Sequence, residues 1–239
     1  MTATITPKSG AFLLARTDPE LRRRDYEKAL CHYLRPVSAG IFDLLVFAEN
    51  SDSDLGSLRT LVQEARLTEN VEFLTLYGLD YPHEFLLLDR VMESALMRAQ
   101  SPESIVWKVT GRYRVVNIEQ LVRKRPPSFD LYCNCRDYPG RWIDQYMLAW
   151  RAGVYGQHLK GLCECLKENE TGTPAEQAMR DLMDRGRFSS LNVVPRFLHV
   201  PIVEGVRGWD NQEYSAGLEN RGKLLVRQVA NRGAPWLWI

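Results

Sequence analysis

Short apolar runs alternate along the chain with longer segments of helical periodicity, and this alternation limits the fold more than any other feature. The runs that indicate strands are Ala11–Ala15, Phe42–Ala48, Val71–Leu76 and Ser104–Thr110. Such an alternation is typical of βα units around a mainly parallel sheet. We therefore expect an α/β protein with a mostly parallel central sheet flanked by helices.

Helical segments fill the gaps between these strands. Asp18-Pro19-Glu20 is a start signal, and the helix that it opens should end near Leu34 because Pro36 follows. Leu55–Ala65 and Glu84–Ala99 carry apolar residues at three- and four-residue spacing. Shorter elements are expected further on, a helix at Asn117–Val122 and a strand at Asp130–Asn134.

From Trp142 the pattern becomes that of a long helix that ends near Leu166, so the C-terminal portion is expected to be helical. Lys167–Pro174 is a polar loop, and Pro174 opens a helix to about Arg185. We interpret the chain as one domain, with residues 1–140 as its ligand-binding α/β part and 141–239 as its helical part. Two elements complete the prediction, a strand at Leu191–Phe197 and a glycine-containing loop at Ile202–Asn211.

Composition and charge restrict the class of protein. The chain has 239 residues, 45% of them hydrophobic, and a formal net charge of +1. That length can bury a substantial core, and the balanced charge gives no general attraction for nucleic acid. The runs Arg22-Arg23-Arg24 and Arg123-Lys124-Arg125 are expected to be solvated faces, with contact to an anionic surface as the alternative. Neither a signal peptide nor a long apolar span is visible, so we expect a cytoplasmic protein.

The cysteines indicate reduced thiols. Their number, five, is odd, which disfavours a disulfide framework. Zinc bound by the pairs Cys133/Cys135 and Cys163/Cys165 is an alternative, although structural zinc sites usually separate their cysteines by two to four residues. The histidines have no metal-ligand spacing, and no Gly-x-Ser-x-Gly, Walker or dinucleotide-binding motif appears, which disfavours a hydrolase, a kinase and a dehydrogenase.

A cationic turn follows the apolar run at Ser104. Its residues are Lys108, Thr110, Gly111, Arg112 and Tyr113. Ligands of open α/β sheets bind beyond the carboxyl ends of the strands, and a cationic strand end suits a phosphate. The expected ligand is therefore an anion.

Three segments in this order resemble a known family. They are the strand that ends in Phe47-Ala48-Glu49-Asn50-Ser51, the helix that begins at His83-Glu84, and the string Lys108-Val109-Thr110-Gly111-Arg112-Tyr113 with Asn117 after it. They are similar to the small glycosyltransferases of the GT-A type that build bacterial or viral surface polysaccharides. The K-x-T-G-R-Y string is the specific part. The resemblance implies a GT-A-like, Rossmann-related fold, a nucleotide-sugar donor and a glycan or other hydroxyl acceptor.

The resemblance also implies roles for residues. Glu49 and Asn50 would contact the base or ribose of the donor, and the turn Lys108–Tyr113 would lie at its diphosphate. For Glu49–Asp54, a polar loop that caps the next helix is an open alternative. The rival function from another class is a non-catalytic nucleotide- or polyanion-binding module.

The metal-binding Asp-x-Asp of GT-A enzymes is missing after the fourth strand, where Lys and Arg stand instead. Fixed cations can stabilise a departing nucleoside diphosphate as a metal does, so we expect no cofactor, with Mn or Mg as the alternative. Asp52-Ser53-Asp54 has the right spacing but follows the second strand, and N-capping of the next helix is the preferred interpretation.

Asp144 stands at the expected start of the long helix. This layout resembles the acidic residue of inverting GT-A enzymes that deprotonates the acceptor hydroxyl, and so implies a catalytic base. A helix N-terminal Asp that only complements the dipole is the alternative. Further candidates for the acceptor side or for a lid over the donor are Glu84, Glu204, Arg207, Trp209 and Asp210.

The C-terminal segment Pro235-Trp236-Leu237-Trp238-Ile239 is strongly apolar. We expect it to pack into the core or against a second copy in a homodimer. A further alternative is that this segment and the basic helix Arg221–Arg232 together make a weak contact with the inner face of a membrane.

Overall fold

The computed structural model describes residues 1–7, 14–76, 84–138, 140–166, 172–214, 217–234 and 237–239. The protein is mixed α/β and divides into two units, each with its own sheets. Unit 1 comprises residues 1–82, 110–123 and 201–222, and unit 2 comprises residues 83–109, 124–200 and 223–239. In chain order the elements are β1 (Thr2–Ala3), α1 (Pro19–Ser38), β2 (Leu45–Glu49), α2 (Gly56–Glu64), β3 (Val71–Thr75), α3 (Glu84–Met92), α4 (Ala95–Arg98), β4 (Ile105–Val109), β5 (Arg114–Val115), α5 (Ile118–Arg123), β6 (Leu131–Tyr132), β7 (Cys135–Arg136), β8 (Trp142–Ile143), β9 (Met147–Arg151), α6 (Ala175–Asp184), β10 (Val193–Val194), β11 (Val203–Glu204) and α7 (Gly217–Gly233).

Unit 1 contains a parallel sheet in the order β1-β2-β3. Helices α1 and α2 connect its strands, as the βα pattern predicted. The face of α1 that packs inward carries Tyr26, Ala29, Leu30 and Tyr33, whose spacing of three and four residues puts them on one side of the helix. A two-stranded antiparallel sheet of β5 and β11 completes the unit.

The first strand lies at Thr2–Ala3 and not at the predicted Ala11–Ala15. Residues 11–13 are outside the described part of the chain, and Leu14 and Ala15 are not in a strand. The strand is fixed by pairing with β2, where the amino group of Met1 donates to the Val46 carbonyl at 2.7 Å. Two residues have too little pattern of their own to be recognised, and only the register with β2 defines them.

Helix α1 begins as predicted, because the Asp18 carboxylate accepts from the backbone N–H of Glu20 at 2.8 Å. Its end differs from the prediction: the helix continues through Pro36 to Ser38. Proline removes one hydrogen bond from the last turn, and burial of Pro36 and Val37 offsets that loss.

Unit 2 contains a four-stranded mixed sheet in the order β10-β6-β9-β4. Strand β9 is antiparallel to both of its neighbours, and β10 is parallel to β6. Strands β7 and β8, which lie between β6 and β9 in the chain, form a separate small antiparallel pair. The expectation of a mostly parallel sheet is therefore confirmed for unit 1, whereas the larger sheet of unit 2 is mixed.

The long helix predicted from Trp142 is wrong. Residues 142–151 form β8 and β9, and the segment that follows, 152–165, contains only short 3₁₀ and π turns. Met147, Leu148, Ala149 and Trp150 are all almost completely buried, so both faces of β9 are apolar. Burial on both faces abolishes the alternation that identifies a strand, and such a run cannot be distinguished from a buried helix by its period.

Other predictions are closer to the structure. Strands β2, β3 and β4 and helix α6 are confirmed within a few residues. The helix predicted over Glu84–Ala99 is broken at Glu93, because Ser94 accepts from the Met97 backbone N–H and starts α4. Among the described residues, no helix is both long and apolar enough to cross a bilayer.

Candidate functional site

The carboxyl end of the parallel sheet brings together two of the predicted binding segments. After β2, the side-chain oxygen of Asn50 accepts from the Thr4 hydroxyl at 2.7 Å. On the other side of β1, Thr110 pairs in parallel with Thr2, and the Gly111 N–H donates to the Thr2 carbonyl at 2.9 Å. Asn50 and Thr110 therefore flank β1 at the end of the sheet where α/β proteins bind ligands.

The close approach of the turn to β1 requires glycine at position 111. A Cβ atom there would lie 2.6 Å from the Thr2 carbonyl oxygen and 3.2 Å from the Tyr26 ring. No L-residue side chain fits at that distance from backbone, so the strand or the turn would have to move.

We expect Gly111→Ala to lower the free energy of unfolding by about 1–3 kcal/mol, because the methyl group overpacks a contact with backbone. Urea unfolding measures this difference. The matched control is Gly222→Ala in α7, where a Cβ meets nothing within 4 Å and alanine favours the helix. Equal stability of Gly111→Ala and the wild type would contradict the assigned packing.

Arg112 of the cationic turn is 9% exposed. Its Nη1 donates to the Val206 carbonyl at 3.2 Å, and its guanidinium carbon lies 5.4 Å from the centre of the Tyr113 ring. Burial opposes the charge, but Tyr26, Tyr113 and Asp25 together raise the pKa of Arg112 above its ordinary value. The side chain therefore stays a cation inside unit 1.

Two further arginines lie close to the end of β1, and the sequence interpretation missed both. Arg22 is 4% exposed and donates through Nε to the Thr4 carbonyl at 2.7 Å. Its Nη1 donates to the Arg16 carbonyl, and the Arg16 side chain forms an ion pair with Asp25 at 2.6 Å. The prediction that Arg22 belongs to a solvated face is wrong. Its position four residues before buried Tyr26 was the signal that places it on the inner face of α1.

We call Arg16, Arg22 and Arg112 the arginine cluster. Burial, aided by the nearby charge of Arg112, lowers the pKa of Arg22, which indicates that these two cations are close enough to repel each other. Within the described part of the chain, Asp25 is the carboxylate that pairs with the cluster, and neither Arg22 nor Arg112 forms an ion pair. The cluster therefore carries an excess of positive charge.

Glu49 is fully buried and organises the loop after β2. Its carboxylate accepts from the backbone N–H of Ile5 at 3.2 Å and of Ser51 at 2.8 Å, and also from the Ser51 hydroxyl. In the same loop the Asp54 carboxylate accepts from the Gly56 N–H at 3.0 Å, at the start of α2. The N-cap residue of α2 is Leu55, and the helix has no side-chain cap, so the predicted N-capping by Asp52–Asp54 is wrong. The carboxylate of Glu49 faces backbone rather than solvent.

The predicted glycine-containing loop Ile202–Asn211 begins with strand β11, and its remaining residues belong to the turn of a hairpin. Strand β11 pairs with β5, and the Glu204 carboxylate bonds to Arg114 at 3.0 Å. The backbone N–H of Tyr214 donates to the Gly205 carbonyl at 2.9 Å, which closes the hairpin. The hairpin approaches Arg112 closely, since a Cβ on Gly208 would lie 2.7 Å from a guanidinium nitrogen.

Trp209 at the tip of this hairpin is 63% exposed. The Arg207 guanidinium lies 4.9 Å from its ring centre and also bonds to the Asp210 carboxylate at 2.6 Å. A cation over the ring and a paired carboxylate fix the orientation of the indole. An exposed indole held in this way can bind the apolar face of a sugar ring.

In unit 2, Lys108 is enclosed rather than presented to a ligand. Its side chain is completely buried, and Nζ lies 2.5 Å from the Glu84 carboxylate and also donates to the Gln145 carbonyl. Burial lowers the pKa of Lys108, and the charge of Glu84 acts in the opposite direction. The predicted donor contact Lys108 and the predicted acceptor residue Glu84 thus form one ion pair between α3 and β4.

Asp144 lies between β8 and β9 and not at the start of a helix, because the predicted helix is a pair of strands. Its carboxylate accepts from Asn134 at 2.6 Å, from the Arg136 Nε at 2.9 Å and from the Trp142 indole at 3.1 Å. Three donors therefore hold one buried carboxylate in a fixed orientation.

The described residues include no group of three or more His, Cys, Asp or Glu side chains that could hold a metal. Cys31, Cys133, Cys135, Cys163 and Cys165 are all free thiols. The sulfur atoms of Cys133 and Cys135 lie 4.0 Å apart in the core of unit 2.

Comparison with known proteins gives no match to a family model, to a curated protein or to a solved structure. The features of the described residues that bear on function are the arginine cluster, the segments beside β1, and the ion pairs Lys108–Glu84 and Arg136–Asp144.

Proposed function

We propose that this protein is a glycosyltransferase that moves a sugar from a nucleotide-sugar donor to a glycan or other hydroxyl acceptor. The observation that carries the proposal is the arginine cluster at the carboxyl end of the parallel sheet. Three largely buried guanidinium groups have one paired carboxylate, Asp25, among the described residues. A buried charge is unfavourable unless an opposite charge compensates it, and the diphosphate of a nucleotide-sugar supplies two negative charges.

The geometry around β1 supports the proposed contacts with the donor. The Asn50 oxygen accepts from Thr4, and its amide nitrogen, which bonds to none of the described residues, is assigned as a donor to a base or ribose. Arg112 and Thr110 are assigned to the diphosphate, because guanidinium binds phosphate through paired hydrogen bonds. Glu49 acts as a positioning residue that orders the neighbouring loop, and Lys108 acts as the internal partner of Glu84.

The class of reaction comes from the K-x-T-G-R-Y string and its resemblance to GT-A enzymes, and the parallel sheet of unit 1 supports a GT-A-like donor half. In an inverting transfer the acceptor oxygen bonds to the anomeric carbon as the bond from that carbon to the phosphate oxygen breaks. The acceptor proton passes to a carboxylate, for which the resemblance proposes Asp144. Fixed arginine charges stabilise the departing nucleoside diphosphate without a metal. Trp209 is proposed to stack on the acceptor sugar.

The proposal predicts a specific binding defect in Arg112→Gln. Loss of one charge-assisted phosphate contact is expected to raise the Kd for a nucleoside diphosphate roughly 10- to 150-fold, as measured by calorimetry. The matched control is Arg59→Gln, since Arg59 stacks on Phe73 at 4.7 Å on α2, apart from the cluster. Unchanged affinity in Arg112→Gln would contradict the donor site.

Turnover separates the enzyme from its rival. A mixture of nucleotide-sugars with a glycan acceptor should release nucleoside diphosphate, and release should persist in a chelator. A non-catalytic binding module, which the same arginine cluster would suit, binds the nucleotide and releases none. Activity that requires manganese would instead direct attention to Asp52 and Asp54.

A further inference from the structure

Helix α7 exposes its apolar side chains to solvent. Leu225, Val226 and Val229 are 62%, 58% and 63% exposed. Their spacing of one, three and four residues places them on one side of the helix. In the surface helices of soluble proteins the solvent-facing side carries polar residues, whereas this side of α7 is apolar.

The opposite side of α7 carries Leu224 together with Arg227 and Asn231, and it is held by contacts within unit 2. The Asn231 amide donates to the carbonyl of Leu198 at 3.0 Å and to that of Phe197 at 3.3 Å. The charge of Arg227 lies near Tyr146. We call the exposed side formed by Leu225, Val226 and Val229 the apolar stripe. The contacts of Asn231 and Arg227 fix the rotation of the helix, so the apolar stripe cannot turn inward without breaking them.

Cations border the apolar stripe. At 3.6 residues per turn, Lys223 and Arg232 fall on opposite edges of the face formed by Leu225, Val226 and Val229, and both are exposed. In sequence, the segment 217–233 has one acidic residue, Glu219, against four basic ones. An apolar face between basic edges is the pattern of a helix that lies in the surface of an anionic membrane.

We propose that α7 binds the surface of a bilayer that contains anionic lipid, with its apolar stripe in the boundary between headgroups and acyl chains. Lys223 and Arg232 then contact lipid phosphate or carboxylate groups. A symmetric pair of copies would place the cationic edges of both helices side by side, so charge favours lipid over a second copy. The inference is independent of sugar transfer.

The experiment is co-sedimentation of the full chain with vesicles of phosphatidylcholine alone or with about one third phosphatidylserine. We expect binding to the anionic vesicles at least about tenfold stronger than to the neutral ones, and weaker binding as salt is added. The double variant Leu225→Gln, Val229→Gln should lose about tenfold or more of the partition coefficient. Lys223→Gln with Arg232→Gln should weaken binding to the anionic vesicles only.

Leu21→Gln is the matched control, because Leu21 is an apolar residue of α1 that is 40% exposed and lies outside the stripe. It should bind vesicles as the wild type does, and circular dichroism should show the same helix content in all variants. Failure of the wild type to bind anionic vesicles would overturn the proposal. So would equal binding of the stripe variant, or a wild-type dimer in ultracentrifugation that the stripe variant abolishes.

Discussion

Asp144→Asn is expected to abolish sugar transfer and, in the same variant, to lower the free energy of unfolding by about 3 kcal/mol. Transfer stops because the amide cannot accept the acceptor proton. Stability falls because Arg136, whose side chain is 11% exposed and lies 2.7 Å from the carboxylate, loses the charge that it pairs with. Released nucleoside diphosphate measures the first effect, and urea unfolding measures the second.

Arg136→Met separates the two effects. It breaks the same ion pair and is expected to destabilise the fold by a similar amount, but it leaves the carboxylate with Asn134 and Trp142 as donors. Measurable turnover in Arg136→Met, with none in Asp144→Asn, identifies the carboxylate as the base. Activity in Asp144→Asn would exclude this role and leave Glu84 or Glu204. Loss of activity in both would assign the ion pair a structural role.

The surroundings of Asp144 could not be predicted from the sequence. Asn134, Arg136 and Trp142 reach its carboxylate only because β7 pairs with β8, and this pairing depends on recognising both strands. The segment 142–151 lacks an alternating pattern, since both of its faces are buried. Because a helix was predicted here, Asp144 was expected at a helix N-terminus and not between two paired strands.

Elements with local signals were predicted well. The Asp18 cap with Pro19 located the start of α1, and the apolar runs of β2, β3 and β4 located those strands. These signals lie within a few residues of the elements that they define. The strand at Thr2–Ala3 has no such signal, because its place depends on a register with Ala48 and Glu49.

Runs of like charge predicted the burial of a side chain less well than its position around the helix axis did. Arg22 stands in a run of three arginines, which is usually a solvated face. Its phase relative to Tyr26 and Leu30 nevertheless places it with the buried side of α1. For Lys108, the partner Glu84 is 24 residues away in the chain, and no sequence spacing indicates such a pair.

The pair of Lys108 and Glu84 gives the second large expected effect. Glu84→Gln should lower the free energy of unfolding by about 3 kcal/mol, because it removes the carboxylate that forms an ion pair with the buried charge of Lys108. Lys108→Met should cost much less, since an apolar chain of similar length suits that enclosed position. Urea unfolding of the two variants compares them directly.

The pH dependence of Glu84→Gln has a defined sign. Burial lowers the pKa of Lys108 below its ordinary 10.5, so between the folded pKa and 10.5 the unfolded chain holds a proton that the folded chain lacks. Stability contributed by this group therefore rises with pH in that window. The difference in free energy of unfolding between the wild type and Glu84→Gln should therefore decrease as the pH approaches 10.5. In the background of Lys108→Met, the effect of Glu84→Gln should show no such trend.

Nucleotide binding by Lys108→Met then separates a structural cation from a functional one. An internal partner of Glu84 can be replaced with no change in the Kd for nucleoside diphosphate, whereas a phosphate contact would raise that Kd roughly 10- to 150-fold, as expected for Arg112→Gln. A weakened affinity in Lys108→Met, with stability preserved, would return Lys108 to the donor site that the K-x-T-G-R-Y string predicts. Unchanged affinity would leave the arginine cluster of unit 1 as the source of positive charge for the donor.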